Sequence, residues 1–238
     1  MSTVIPHSLT ITARAHSTIV FVPGLGDTSL DAAHTMLANQ YAVAGYNTVQ
    51  YSPAALQLHP KGGFWNNTLS AEIEAAFTIV AALQKKTRLS RRIVLHAHSA
   101  LASVAHAIPG DAYIAAMPID LRAVGALRRS AIAHNLGRAL DGPYDPAMET
   151  VSIGIGETKW GYSVSFFRDY DAQALTNLIS SAPTLRCFGS QDPLPPQGDS
   201  PSSATTDCYL RMAHHFRKPH QATLLAQTGI HWDKGNLL

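Results

Sequence analysis

RRIVLHAHSALASVAHA, which runs from Arg91 to Ala107, is the stretch of this sequence that decides the fold. Two arginines lead into an apolar, partly β-branched run, and small and apolar residues recur at helical spacing after Ser99. This pattern predicts a strand, a sharp turn with Ser99 at its apex, and a helix. A serine on such a turn exposes its hydroxyl beside the helix N-terminal amides, as a nucleophile requires. The alternative is a serine that only caps the helix, since serine is a favoured N-cap residue.

The five residues Ala97-His98-Ser99-Ala100-Leu101 resemble the nucleophile elbow of the α/β-hydrolase family. The family pattern is small-x-Ser-x-small, usually with glycine at both outer positions, where this chain has alanine and leucine. The resemblance implies an α/β fold: a mostly parallel open sheet of about seven strands, with helices on both faces and a helical lid insertion. It also implies a catalytic acid and a histidine base, which follow the serine in the order Ser, Asp, His.

Length and composition limit the alternatives. A chain of 238 residues suits one domain, 1–238, that can bury a sizeable core. With 46% hydrophobic residues, 14% charged residues and a formal net charge of +2, nothing favours disorder or a nucleic-acid partner. The sequence shows neither a membrane span nor the pattern of a signal peptide, so we expect a cytoplasmic protein. We expect no cofactor and no metal.

Further β-rich runs predict the rest of the sheet, at 8–13, 18–22, 46–51, 111–117, 184–189 and 222–227. The first two are predicted to form a hairpin. Helices predicted over 29–44 and 69–84 alternate with the strands that follow, which indicates parallel strands joined by right-handed crossovers. An open sheet of this kind carries its chemistry at the carboxyl ends of its strands.

A glycine-rich turn, Pro23 to Asp27, follows the second predicted strand and precedes a predicted helix. Backbone amides in such a turn favour negative charge, but the spacing matches neither a Walker A loop nor a dinucleotide fingerprint. In the family this loop supplies half of the oxyanion hole. The resemblance therefore implies the backbone amides of Leu25 and Ala100 as oxyanion donors, and Gly24 and His98 as substrate-binding residues.

Asp192 is the candidate acid, since it follows the strand predicted at 184–189. Pro193 keeps it extended, and an aspartate before proline is more commonly a turn or cap residue. In the family the acid follows this strand in a Gly-x-x-Asp pattern, which Gly189-Ser190-Gln191-Asp192 matches. The rival is Asp120, just past the preceding strand, where some relatives carry their acid.

His231 is the candidate base, because it follows the strand predicted at 222–227 in a glycine-containing turn and completes the order Ser, Asp, His. His214, His215 and His220 lack a carboxylate or cysteine at ligand spacing, so we interpret them as the polar end of a helix predicted over 207–217. Only seven residues follow His231, whereas relatives usually carry a closing helix here. A homodimer is one way to cover that face.

Residues 118–181 form a long insertion between two predicted core strands. In the family this position holds the lid, whose apolar side chains cover the acyl pocket. Trp160 is then a substrate-binding residue, although an aromatic side chain is more often part of the core.

Together these residues predict a serine hydrolase, an enzyme of the carboxylesterase or thioesterase kind that acts on a small-molecule ester or thioester. Two hypotheses stay open beside it. The same fold could perform C–C bond hydrolysis, peroxyacid formation or cyanohydrin cleavage, or the chain could be a catalytically silent binding module.

Overall fold

The computed structural model describes residues 5, 7–25, 29–52, 68–86, 89, 91–136, 152–155, 158–161, 164–175, 181–194, 196–198, 203–216 and 218–236. The strands are β1 (His7–Thr10), β2 (Thr18–Val22), β3 (Asn47–Tyr51), β4 (Ile93–His98), β5 (Ala112–Ala116), β6 (Ser152–Ile155), β7 (Thr158–Gly161), β8 (Thr184–Gly189) and β9 (Thr205–Leu210). The helices are α1 (Ala32–Val43), α2 (Leu69–Gln84), α3 (Ser99–Ser103), α4 (Leu121–Leu136), α5 (Val164–Leu175) and α6 (Pro219–Gly235). A 3₁₀ turn, Ala105–Ala107, follows α3.

A seven-stranded sheet organises the described part of the chain, in the order β1-β3-β2-β4-β5-β8-β9. The edge strand β1 is antiparallel to β3, and all other neighbours are parallel. Strands β2, β3, β4 and β5 are buried along their whole length, as in a sheet covered on both faces. The predicted mostly parallel sheet of about seven strands is confirmed.

Side chains alternate between two hydrophobic cores, one on each face of the sheet. On β4, Leu95 and Ala97 belong to the core that also contains α2 residues such as Val80. Val94, which points to the opposite face, belongs to the core that contains Leu37 of α1 and Leu225 of α6. Helices therefore cover both faces, and each strand needs apolar residues on both sides.

The predicted hairpin of the first two strands is wrong. β1 pairs with β3, while β2 is hydrogen-bonded to β3 on one side and to β4 on the other. Because β2 has no free edge left, β1 takes the outer side of β3. The turn between β1 and β2 contains Arg14 with a φ of 62°.

The helix predicted over 207–217 is also wrong, because β9 occupies its first part. Arg186 of β8 holds β9 through two hydrogen bonds to Asp207, of 2.7 and 2.6 Å. These bonds join the strands across the parallel ladder, in which Arg186 and Asp207 are direct partners. Long-range pairing with β8 thus decides the conformation of this segment.

The strand predicted over 222–227 lies inside α6. Pro219 stands at the helix start, a position that tolerates its missing N–H, and Ala222, Leu225, Ala226 and Gly229 are buried at helical spacing. The segment contains one β-branched residue, so its apolar character comes from a helix face. α6 is therefore the closing helix that the sequence pattern did not predict, and it covers the face for which a homodimer was considered.

The segment between β5 and β8 contains α4, β6, β7 and α5. Asp169 of α5 accepts hydrogen bonds from the backbone N–H and the hydroxyl of Ser70, at the start of α2. Tyr170 is fully buried in the core beside α2. The segment is thus anchored to the sheet domain, and its role as a lid over the acyl pocket stays a prediction. No helix in the described ranges is long and apolar enough to cross a membrane.

Candidate active site

The segment around Ser99 forms the predicted strand, turn and helix. β4 ends at His98, α3 begins at Ser99, and Ser99 has a φ of 57°. Residues other than glycine rarely adopt this left-handed conformation, and where they do the strain often serves a functional site. Leu101, which stands where the family usually has glycine, is fully buried in the core on the α2 side. The turn therefore accommodates the leucine.

Three side chains form a continuous line of hydrogen bonds. The Ser99 hydroxyl donates to Nε2 of His214 over 2.8 Å, and Nδ1 of His214 donates to Oδ2 of Asp192 over 2.6 Å. A carboxylate can only accept, so the proton of a neutral His214 lies on Nδ1 and leaves Nε2 free to accept from Ser99. The His214 and Asp192 side chains are 7% and 10% exposed, which limits the competition from water.

Asp192 is held by a turn just past β8. Its backbone N–H donates to the carbonyl of Gly189 over 3.1 Å, and its Oδ1 accepts from the N–H of Leu194 over 2.9 Å. One carboxylate oxygen is thus fixed by the backbone while the other faces His214. The rival Asp120 instead caps α4, where its Oδ1 accepts from the N–H of Ala123 over 3.0 Å.

His214 lies between β9 and α6, in a segment (211–216) that we call the base loop. This loop follows β9 past the end of β8, where the N–H of Gln191 donates to the carbonyl of Met212 over 3.1 Å. A Cβ added to Gly189 would lie 2.5 Å from that same carbonyl oxygen. The turn that carries Asp192 (189–192), which we call the acid turn, and the base loop therefore contact each other through their backbones, and glycine at 189 leaves the space for this contact.

Solved structures resemble this chain over nearly its whole length. Est1E from Butyrivibrio proteoclasticus, solved with ferulic acid bound, has a TM-score of 0.70 at 14% identity, over 98% of this chain and 95% of that one. A monoacylglycerol lipase from Paleococcus ferrophilus has a TM-score of 0.62 at 16% identity, over 96% and 97%. Mouse alpha/beta hydrolase domain-containing protein 10 has a TM-score of 0.62 at 11% identity, over 94% and 91%. The chain has the α/β-hydrolase fold. No protein-family model and no curated protein sequence matches it.

His231, the residue that the sequence predicts as the catalytic base, does not lie beside Ser99 and Asp192. It is exposed near the end of α6, and within the described ranges no hydrogen bond joins it to Ser99 or Asp192. His214 occupies the place expected for it. The prediction of His231 depended on the wrong strand at 222–227, which placed the end of the last strand after the loop that carries His214.

A signal for His214 was present in the sequence. The run TTDCYL at 205–210 is rich in β-forming residues, and a histidine after it also satisfies the order Ser, Asp, His. The interpretation of His214, His215 and His220 as a helix end is wrong, since the first two belong to the base loop and His220 lies in the first turn of α6. In the described ranges no group of three or more His, Cys, Asp or Glu side chains is placed to hold a metal.

The two predicted oxyanion donors stand at the ends of neighbouring strands. Val22 of β2 pairs with Ala97 of β4, and Leu25 and Ala100 each follow three residues later. Gly24 is buried next to Leu25, while residues 26–28 lie outside the described ranges. Their contacts with an oxyanion or a substrate stay predictions.

Two predicted substrate-binding residues have different outcomes. His98 is 2% exposed and donates from Nε2 to the backbone carbonyl of His214 over 2.9 Å, so it is buried against the base loop and does not lie on the surface of the site. Burial, with His214 and His34 nearby, holds the pKa of His98 well below its usual range. Trp160 belongs to β7, and its side chain lies outside the described part of the structure.

Proposed function

We propose that this chain is a serine hydrolase that cleaves a carboxylic ester or thioester through an acyl-enzyme on Ser99. The observation that carries the proposal is the line of hydrogen bonds from Ser99 through His214 to Asp192. The three residues follow β4, β9 and β8, whose carboxyl ends meet at one edge of the sheet. That edge is where open α/β sheets carry their sites.

In the first step the Ser99 oxygen attacks the carbonyl carbon of the substrate and its proton passes to Nε2 of His214. Asp192 keeps the other His214 proton on Nδ1 and stabilises the imidazolium that forms. The short Nδ1 to Oδ2 distance of 2.6 Å suits a bond that strengthens as the imidazole gains charge.

The carbonyl oxygen becomes an oxyanion as the new bond forms. We assign its stabilisation to the backbone amides of Leu25 and Ala100, which follow paired positions of β2 and β4. Ala100 is the second residue of α3, and the first amides of a helix have no partner within it. Donors fixed before the reaction stabilise this charge without reorganisation.

The tetrahedral intermediate then expels the alcohol or thiol, which takes the proton from Nε2 of His214 and leaves the acyl group on Ser99. A water molecule then attacks the acyl-enzyme: His214 removes its proton and the hydroxyl adds to the acyl carbon. The bond to the Ser99 oxygen breaks, the carboxylic acid is released, and Ser99 regains its proton from His214. Ser99, His214, Asp192 and the two backbone amides supply the groups that this mechanism uses in both acylation and deacylation.

The choice of an ester or thioester rests on chemistry and on likeness. Esters and thioesters carry better leaving groups than amides and are therefore easier to attack with a serine nucleophile, and the solved neighbours include a monoacylglycerol lipase and Est1E with ferulic acid bound. At 14–16% identity these neighbours support the substrate class by analogy of fold only.

The test is intact mass after treatment with a fluorophosphonate probe, on the parent, on Ser99→Ala and on Ser203→Ala. Ser203 is an exposed serine just before β9 and serves as the matched control. We expect one adduct on the parent and on the control, mapped to Ser99, and none on Ser99→Ala. A panel of p-nitrophenyl esters and acyl thioesters of increasing chain length then defines the substrate. A folded parent protein that forms no adduct would overturn the acyl-enzyme mechanism.

A further inference from the structure

His98, the residue immediately before Ser99, is hydrogen-bonded to the loop that carries His214. His98 ends β4, and its Nε2 lies 2.9 Å from the carbonyl oxygen of His214. A carbonyl oxygen can only accept, so Nε2 of His98 carries the proton and donates it. The His98 side chain thus links the turn at 98–100, which we call the nucleophile turn, to the backbone of His214, 116 positions away in the chain.

The base loop is also packed around the His98 ring. The ring centroid of His98 lies 5.0 Å from that of His214, 5.8 Å from His215 and 5.2 Å from Phe216. The ring centroid of His34 of α1 lies 6.0 Å from that of His98 and 5.1 Å from that of Phe216. These edge and tilted contacts fix the orientation of the imidazole, and with it the direction of the Nε2–H bond.

His98 is suited to stand beside a base that becomes charged. Burial holds its pKa well below the usual range, so the ring stays neutral when His214 becomes an imidazolium. A positive charge 5.0 Å from that imidazolium would oppose the proton transfer from Ser99.

We propose that His98 is a positioning residue for His214: its Nε2–H holds the backbone of the base loop so that the imidazole stays aligned with Ser99. This inference rests on the proposed function. The hydrogen bonds to Ser99 and Asp192 fix the imidazole of His214, whereas the His98 bond fixes its backbone. With both ends held, the imidazole has little freedom to swing away from the serine hydroxyl.

Four variants test this role. His98→Leu removes the donor, His98→Gln keeps an N–H donor at similar reach, and His98→Asn carries a shorter amide that does not reach the His214 carbonyl. His96→Leu is the matched control. His96 lies on the same strand, is 1% exposed, packs on Phe21 and has no hydrogen-bond partner for either ring nitrogen among the described residues.

The measurements are the rate of Ser99 labelling by diisopropyl fluorophosphate, kcat and KM for p-nitrophenyl butyrate, and the thermal midpoint, with rates taken well below that midpoint. Loss of alignment should lower the labelling rate and kcat of His98→Leu and His98→Asn at least about tenfold, with KM changed less than about twofold. His98→Gln and His96→Leu should stay within about threefold of the parent.

The following results would overturn the inference. Equal rates for His98→Leu and His96→Leu would show that the hydrogen bond does nothing for the base. If His98→Leu does not fold, equal rates for His98→Asn and His98→Gln would show the same. If the parent protein is not labelled at all, the proposed function is wrong and the inference is wrong with it. If Ser99 is labelled at the same rate with and without the His98 donor, only the inference is wrong.

Discussion

The nucleophile turn and the base loop reach the same site in different ways. The turn is built from consecutive residues: a buried strand ends at His98, Ser99 takes a φ of 57°, and a short helix follows at once. The base loop is not positioned by the residues next to it in the chain. It is held by Asp192, by the carbonyl contact between Met212 and the acid turn, and by the donor on His98.

This difference shows which part of the site depends on distant contacts. A strand, a tight turn and a helix are specified within about ten residues, whereas the position of His214 depends on partners from two other segments, the turn after β8 and the end of β4. Substitutions in the turn should therefore act through local packing. Substitutions around the base loop should act by moving the base relative to the serine.

The largest expected effect contrasts the two candidate bases. His214→Ala should lower kcat/KM on a reactive ester at least about a thousandfold, because Ser99 then has no acceptor for its proton. His231→Ala, an exposed change near the end of α6, should leave kcat/KM within about twofold. Steady-state kinetics on both variants decide the assignment. A severe His231 variant beside a mild His214 variant would return the base role to His231.

Asp192→Asn should also be severe but smaller in effect than His214→Ala, with kcat lowered by about a hundredfold or more. The amide N–H would face Nδ1 of His214, force that nitrogen to accept and place the proton on Nε2, where it blocks Ser99. Asp120→Asn is the matched control, since asparagine caps a helix as well as aspartate does, and it should change neither kcat nor the thermal midpoint appreciably. The opposite ranking would assign the acid role to Asp120.

Leu101→Ala examines the local half of the comparison. Leu101 is fully buried, so its truncation should lower the free energy of unfolding by about 3 kcal/mol. Activity per folded molecule should persist, because Leu101 packs in the core on the α2 side and takes no part in the hydrogen bonds that join Ser99, His214 and Asp192. The control is Leu127→Ala, a change at a side chain that is 55% exposed, with little expected loss. Urea unfolding followed by circular dichroism measures both, and equal stabilities would show that the turn does not depend on this packing.

Gly189→Ala examines the long-range half and should have the smallest of these effects. Its Cβ would lie 2.5 Å from the carbonyl oxygen of Met212, so the base loop must shift. We expect kcat to fall about tenfold with KM nearly unchanged. Gly198→Ala is the control, because a Cβ there meets nothing within 4 Å. Parent-like kcat in Gly189→Ala would mean that the loop tolerates the displacement.

Much of the fold was predictable because its central elements satisfy local rules. α2 begins and ends where its apolar periodicity does, at Leu69–Gln84, and β2 coincides with its apolar β-branched run. The prediction failed at the edges of the sheet. Both edge strands are partly exposed. β1 was predicted as a strand but with β2 in place of β3 as its partner, and β9 was predicted as a helix, because pairing with β3 and with β8 decides these features.

The sequence by itself determined the strand, turn and helix around Ser99 and the turn that places Asp192 just past β8, because each depends on residues that are neighbours in the chain. Only the tertiary structure decided which histidine meets them. With 12 histidines to choose from, chain order admitted both His214 and His231. The pairing of β9 with β8 then placed His214 next to Asp192 and Ser99, and the apolar face of α6 carried His231 to the exposed end of that helix.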